Sequence, residues 1–242
     1  MVRCLNIFTD ASILDTNTPN NTVGCAGFIA TSGESEHPVF GQDGDRNSKL
    51  QMLDRSIVII PNCTNNVAEA TGVLRAVDYA IRHKDQFDEI NIFSDSQWCI
   101  KSLTVWIFNW ISTIDQMGVM YNSSKDPVAN QTIFNEIILA IVNTNTKLHF
   151  YHCKGHVKNN NDSIFNALKT FRVSNDVGRD VHLSYHHIYT MAYFNDLIDN
   201  YTRDILAEWV NGCVSNIPLD FPRPIFYILD RDIINRYKQL IS

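Results

Sequence analysis

Apolar and polar residues change their spacing several times along this chain of 242 residues, and each change marks an element. Leu5 to Thr9 and Val23 to Thr31 are strand-length runs of apolar and small residues, separated by the Asn-, Thr- and Pro-rich loop of Asp15 to Thr22. Ser32 to Leu53 is polar and charged and reads as an insertion or an elaborated hairpin. Ser56 to Pro61 is apolar again, so this first stretch predicts an antiparallel meander. From Asn66 to His83 the spacing becomes helical, with Val67, Ala70, Val73, Leu74, Val77 and Ala80 on one face. Glu89 to Phe93 returns to strand, Ser96 to Trp110 and Thr132 to Val142 read as helices, and Lys147 to His152 is a strand running into Lys154-Gly155-His156. The order β-β-β-α-β-α-α-β-α predicts an α/β (mixed α+β) fold with helices on the faces of a mixed sheet.

Beyond Phe171 the pattern changes. Ile188, Met191, Phe194, Ile198, Tyr201, Ile205 and Trp209 recur every three or four residues, as on an amphipathic helix. A Phe221-Pro222-Arg223-Pro224 breaker and a short helix near Asp232 to Ile241 follow. The chain therefore divides into residues 1–171, with an insertion at about 32–53, and a mainly helical C-terminal extension, 172–242. The extension's apolar stripe must pack either on the core or on a second subunit, which would make a homodimer.

Composition adds three points. With 45% hydrophobic residues the chain can bury a substantial core. No apolar run is long enough to span a membrane, no charged and then apolar leader precedes the first strand, and the six scattered cysteines include no Cys-x-x-Cys pair. A soluble cytoplasmic protein with buried free thiols is expected. The net charge of −6 speaks against a basic nucleic-acid surface, except where carboxylates gather to hold cations that cancel their charge.

Asp10, Glu69 and Asp95 are the residues that such a gathering would use. Taken singly, each has a plain reading: a turn after Thr9, a Glu early in a helix, an N-cap in Ser94-Asp95-Ser96. Their local contexts, in order, carry more. Ile7-Phe8-Thr9-Asp10-Ala11-Ser12, Thr64-Asn65-Asn66-Val67-Ala68-Glu69, Ser94-Asp95-Ser96-Gln97 followed by Trp106-Ile107-Phe108-Asn109-Trp110, Pro127-Val128-Ala129-Asn130 and Lys154-Gly155-His156 together resemble the ribonuclease H family, type 1, over about residues 4–171.

The resemblance implies a ribonuclease H-like fold with a central five-stranded mixed sheet. It also implies an endonuclease that hydrolyses the RNA strand of RNA/DNA hybrids with two Mg²⁺ or Mn²⁺ ions, leaving 5′-phosphate and 3′-hydroxyl ends. Such chemistry needs hard oxygen ligands around a metal pair, with Asp10 between the ions and Glu69 and Asp95 flanking. The family's fourth metal ligand usually follows the Lys-Gly-His histidine by ten residues. That place is Asn166, an amide without charge, expected to weaken the metal nearer the leaving group and to impair this form. Asp162, one helical turn earlier, either substitutes in part or caps its helix. His156 matches the family's mobile histidine near the departing group.

Substrate contacts transfer position by position. Asn65, Asn66 and Gln97 match residues that read the minor groove of the hybrid, and Trp98 and Trp106 match the aromatic wall beside the deoxyribose strand. Thr64 and Asn130 match the DNA phosphate pocket, although Asn62 stands where an Arg is frequent; Trp110 reads as core. The segment from Ile111 to Gln131, where many relatives carry a basic handle, has Lys125 as its single basic residue. Affinity for hybrid must then come from elsewhere, such as the insertion near Arg46 and Lys49 or the extension, whose seven Lys and Arg face nine Asp and Glu. A catalytically silent hybrid-binding protein and a fold reused for assembly are the alternative readings.

Overall fold

A computed structural model of the chain describes residues 2–15, 22–35, 51–175, 183, 185–220 and 228–241. Five strands form one sheet in the order β3-β2-β1-β4-β5. The strands are β1 (Val2–Asp15), β2 (Thr22–Ser35), β3 (Gln51–Pro61), β4 (Glu89–Ser94) and β5 (His149–His152). The first three are antiparallel neighbours, and β4 and β5 continue parallel to β1. This is the mixed sheet expected from the sequence, with β2 and β3 reaching into the polar stretch on both sides of residues 36–50. That central part of the insertion, including Arg46 and Lys49, lies outside the described residues, as does the breaker of Phe221 to Pro224.

Cys4 to Asp10 of β1 is an unbroken buried run, because helices cover both faces of the sheet at this strand. Leu5 and Ile7 point to one face, where α1 (Asn65–His83) and α4 (Gln131–Thr144) pack. Phe8 points to the other, against α5 (Asn161–Ser174) and α6 (Tyr185–Val210). Across this second face runs a row of stacked rings. Phe194 of α6 lies on Phe8 at 5.0 Å, Phe8 on Phe93 at 4.9 Å, Phe93 on Tyr151 at 5.3 Å, and Tyr151 on Phe171 of α5 at 5.8 Å. Helix α5 is thereby held at the β5 end of the sheet, and α6 occupies the centre, over β1 and β2.

The residues expected to form a separate extension contribute to both faces. The stripe of Ile188, Met191, Phe194 and Ile198 is covered by this chain's own sheet, so its burial calls for no second subunit. Ile205 and Trp209 pack around buried Leu206 against Ile57 and Ile59 of β3. Residues 218–220 then run beside β3, with Ile59 N–H donating to Pro218 O at 3.0 Å and Asp220 N–H to Ile59 O at 2.8 Å. Helix α7 (Arg231–Ile241) crosses to the opposite face. There the fully buried Tyr237 donates its hydroxyl to Leu103 O at 3.1 Å, and Leu148 N–H donates to Leu240 O at 3.0 Å.

The helical stretch predicted for Ser96 to Trp110 is interrupted. It comprises α2 (Gln97–Lys101), a π turn (Ser102–Trp106) and α3 (Ile107–Trp110). Among the described residues no helix is long and apolar enough to cross a membrane, and all six cysteines are free thiols, five of them buried.

Because Phe194 anchors the row of rings, Phe194→Ala should destabilise the fold by about 3 kcal/mol or more, read as a lower midpoint in urea unfolding.

Candidate active site

The functional side chains gather where β4 ends beside the middle of β1. Thr9 pairs with Ser94 in the parallel ladder, so Asp10 and Asp95, the next residue of each chain segment, emerge together. Glu69 arrives from α1, whose start is fixed by Thr64: the Thr64 Oγ1 accepts from Val67 N–H at 3.3 Å. Glu69 lies in the second turn and is buried, so the reading as a first-turn acid serving the helix dipole does not apply. One oxygen from each of Asp10, Glu69 and Asp95 lies within 4.8 Å of the others.

This proximity is costly without a cation. Burial first, and then the Asp95 charge, push the Asp10 carboxyl up to about 8; the Ala11 N–H, 2.7 Å from Asp10 Oδ1, opposes the rise. Glu69 is held well above the usual carboxylate range by burial and by the charges of Asp10, Asp95 and Asp199. Asp95 is raised by burial, and the Asn195 amide works against it. Glu69 Oε2 is buried with no hydrogen-bond partner. Three converging carboxylates, one with an orphaned oxygen, fit a hard divalent cation, whose charge removes the repulsion and whose coordination shell takes oxygen ligands.

Close backbone passage keeps the site compact. A Cβ on Gly155 would lie 2.2 Å from Asp95 Oδ2, so any other residue there would push the Asp95 carboxylate aside. His156 follows at φ 53°, its side chain largely exposed, with Nδ1 3.8 Å from Asp199 Oδ2.

Helix α6 closes the site from the side. Asn195, almost fully buried, donates from Nδ2 to Asp95 Oδ2 at 3.3 Å and accepts from Cys153 Sγ at 3.4 Å. Asp199, one turn on, accepts from Arg203 Nη1 at 3.2 Å, and its charge adds to the upward shift of Asp10, Glu69, Asp95 and Asp196. The motif comparison along the sequence did not reach Asn195, Asp199 or Arg203. Their signal was the polar pair Asn195 and Asp199, four apart, beside the apolar stripe of Phe194 and Ile198.

At 100° per residue Asn166 falls on the side of α5 away from the buried Ile164, Ala167 and Phe171, and it is exposed. Its backbone carbonyl accepts from Thr170. Asp162 is exposed in the first turn and is not the cap; Asn160 caps α5, accepting from Ser163 N–H at 2.9 Å.

The expected substrate residues line the approach. Asn65, Asn66 and Gln97 are exposed at the starts of α1 and α2, beside the exposed Thr64. Trp98 and Trp106 both face one groove, bordered also by Trp110, Tyr121 and Val128. In an unbroken helix residues eight apart diverge by about 80°. The π turn adds about one residue to the helical path and brings Trp106 round to the side of Trp98. Trp110 combines both roles, touching the groove and lying 6.3 Å from Phe134 in the core. Asn130 starts α4 in the left-handed region, φ 58°, and Asn62 sits there too, φ 53°, a conformation that suits Asn. Asn130 borders a cavity between α1 and α4 with Arg75 and Asp220, whose side chains form an ion pair.

The sheet order, the crossing helices and the acids where the β1–β4 ladder ends define a ribonuclease H-like fold. The RNase H family model matches residues 3–167, more than half of the chain, and the chain belongs to that family. Ribonuclease H of Tropheryma whipplei (strain Twist) is 37% identical over 97 residues, 40% of this chain; the chain spans about half, 55%, of that relative's length. Ribonuclease H of Treponema denticola is 24% identical over 161 residues, covering 64% of this chain and 88% of that one. The solved structure of LC9-RNase H1 overlays with a TM-score of 0.47 at 17% identity, over 79% of this chain and 85% of that one.

The acid cluster has a signature in stability. Asp10 holds its proton up to about 8 in the folded chain against 3.8 for the ordinary group. Between these values the folded state binds a proton that the unfolded state has released, so stability falls as pH rises through this window. In chelator at pH 8, Asp10→Asn should therefore unfold later than the parent by about 1 kcal/mol or more, and the difference should vanish near pH 4. Thermal unfolding at the two pH values checks it.

Proposed function

We propose that this chain is an endonuclease that hydrolyses the RNA strand of RNA/DNA hybrids with Mg²⁺ or Mn²⁺, leaving 5′-phosphate and 3′-hydroxyl ends. The observation that supports it most is the convergence of Asp10, Glu69 and Asp95 within 4.8 Å, with Glu69 Oε2 unpartnered, in a chain of the RNase H family. Asp10, Glu69 and Asp95 would hold two such ions, whose chemistry would be water activation and charge neutralisation at the departing oxygen.

The chain's own groups do the rest. Asn195 fixes the Asp95 carboxylate, and the bare backbone of Gly155 lets the His156 loop close over it. His156, exposed on that loop, is placed to carry a proton to or from the departing group. The amides of Asn65, Asn66 and Gln97 meet base edges and ribose 2′-hydroxyls in the minor groove of the hybrid. Trp98 and Trp106 offer a flat apolar wall to the deoxyribose strand, and Thr64 and Asn130 contact its phosphates. Asn166, exposed on α5, has an amide and so offers a cation no charge.

A labelled RNA/DNA hybrid should be cut in its RNA strand in Mg²⁺ or Mn²⁺ and left intact in chelator. Asp95→Asn should lower kcat on the order of a hundredfold or more, and Trp106→Ala should act mainly on KM. Hybrid bound but uncut with either metal would establish the binding-protein reading in its place.

A further inference from the structure

We infer that Asp199, on α6 and beyond the matched family segment, supplies the fourth metal-holding carboxylate, the role that sequence order assigned to residue 166. The inference rests on the proposed metal-dependent nuclease function and adds to it a ligand from a different helix.

The register of α6 against β1 places Asp199. Phe8, Asp10 and Ser12 share one face of β1 by strand alternation. Phe8 stacks on Phe194, and Ser12 Oγ lies 3.0 Å from Thr202 Oγ1. The strand path from Phe8 to Ser12 is about 13 Å. The helix path from Phe194 to Thr202 is about 12 Å, so the two elements run side by side and their midpoints coincide. The midpoint of one is Asp10, and that of the other is Ile198, the residue before Asp199. A third contact agrees: Gly27 is the strand partner of Asp10, and a Cβ there would lie 3.4 Å from Ile198 Cδ1.

The side of α6 that meets the acids is fixed separately. Asn195 and Asp199 are four apart and share a helix face, and Asn195 touches Asp95. Asp199 lies outside the tight group of three, and its nearest polar neighbours are Arg203 Nη1 at 3.2 Å and His156 Nδ1 at 3.8 Å. Its side chain is 16% exposed, far from the solvated state of an ordinary helix-surface acid.

An i,i+4 ion pair with Arg203 is the simpler account of Asp199. It leaves unexplained why a fourth negative charge bears on Asp10, Glu69 and Asp95, two of them buried and one, Glu69, with an oxygen unpartnered among the described residues. Arg203 is about half exposed and is free to release Asp199 when a cation arrives.

The test is Mn²⁺ binding by the full chain, followed by the signal of free Mn²⁺ and by thermal unfolding in chelator. Asp199→Asn should weaken binding of one of about two ions at least tenfold, and in chelator it should unfold at the parent's temperature or higher, since a repulsion is relieved. Arg203→Ala, which keeps the carboxylate, should bind Mn²⁺ like the parent, and so should Asn166→Asp. Parent-like Mn²⁺ binding by Asp199→Asn, or an equal loss in Arg203→Ala, would overturn the assignment, as would tighter binding in Asn166→Asp. A lower unfolding temperature of Asp199→Asn with unchanged affinity would likewise reduce Asp199 to a structural ion pair. Asp10→Asn separates the two levels: if it too leaves Mn²⁺ binding intact, the metal site itself is wrong, whereas if it alone abolishes binding, only the role of Asp199 fails.

Discussion

The structure is organised around the repulsion among carboxylates gathered where the β1–β4 ladder ends. Asp10, Glu69 and Asp95 come from three different elements, so nothing local holds them together. The parallel pairing of β1 with β4 fixes two of them side by side, and the packing of α1 on the sheet brings the third. Each support is made of apolar burial, which is non-directional and large enough in sum to tolerate one unfavourable electrostatic cluster. The same burial that raises the acids' proton affinity prepares them for a divalent cation, because desolvated oxygens gain most from a concentrated positive charge.

Helix α6 shows how closely support and chemistry are joined. Phe194 closes the row of rings that runs from β1 to α5, and Asn195, the next residue, steadies Asp95. Packing along β1 sets the height of the helix, and its height sets which polar residues reach the acids. On the opposite face α7 seals α4 and the π turn through Tyr237, so residues after 171 clamp the sheet from both sides. An aromatic groove with few basic groups fits the acidic balance of the chain. On the proposed function, contact with a hybrid there would rest on stacking and amide hydrogen bonds more than on phosphate attraction.

Much of this was legible along the chain. The strands and α1 follow from short apolar runs and helical spacing, because each buries a face whose period is fixed by backbone geometry. Asp10, Glu69 and Asp95 were legible through their neighbours. The interruption between Trp98 and Trp106 was not, since a π turn leaves the residue pattern helical while shifting its phase. Asn166 was legible only as a place ten residues beyond His156 on the next helix, which Tyr151 and Phe171 hold at the β5 end of the sheet.

The sequence by itself determined the elements, the family and the three acids, because those depend on periodicity and on side-chain chemistry in fixed local frames. Only the tertiary structure decided which helix lies beside β1, and therefore that Asn195 reaches Asp95 while Asn166 is exposed. The two helices are both amphipathic and both compatible with the same sheet face. Competition between them is settled by how aromatic rings pack across five strands, a sum of long-range contacts that no local stretch of sequence contains.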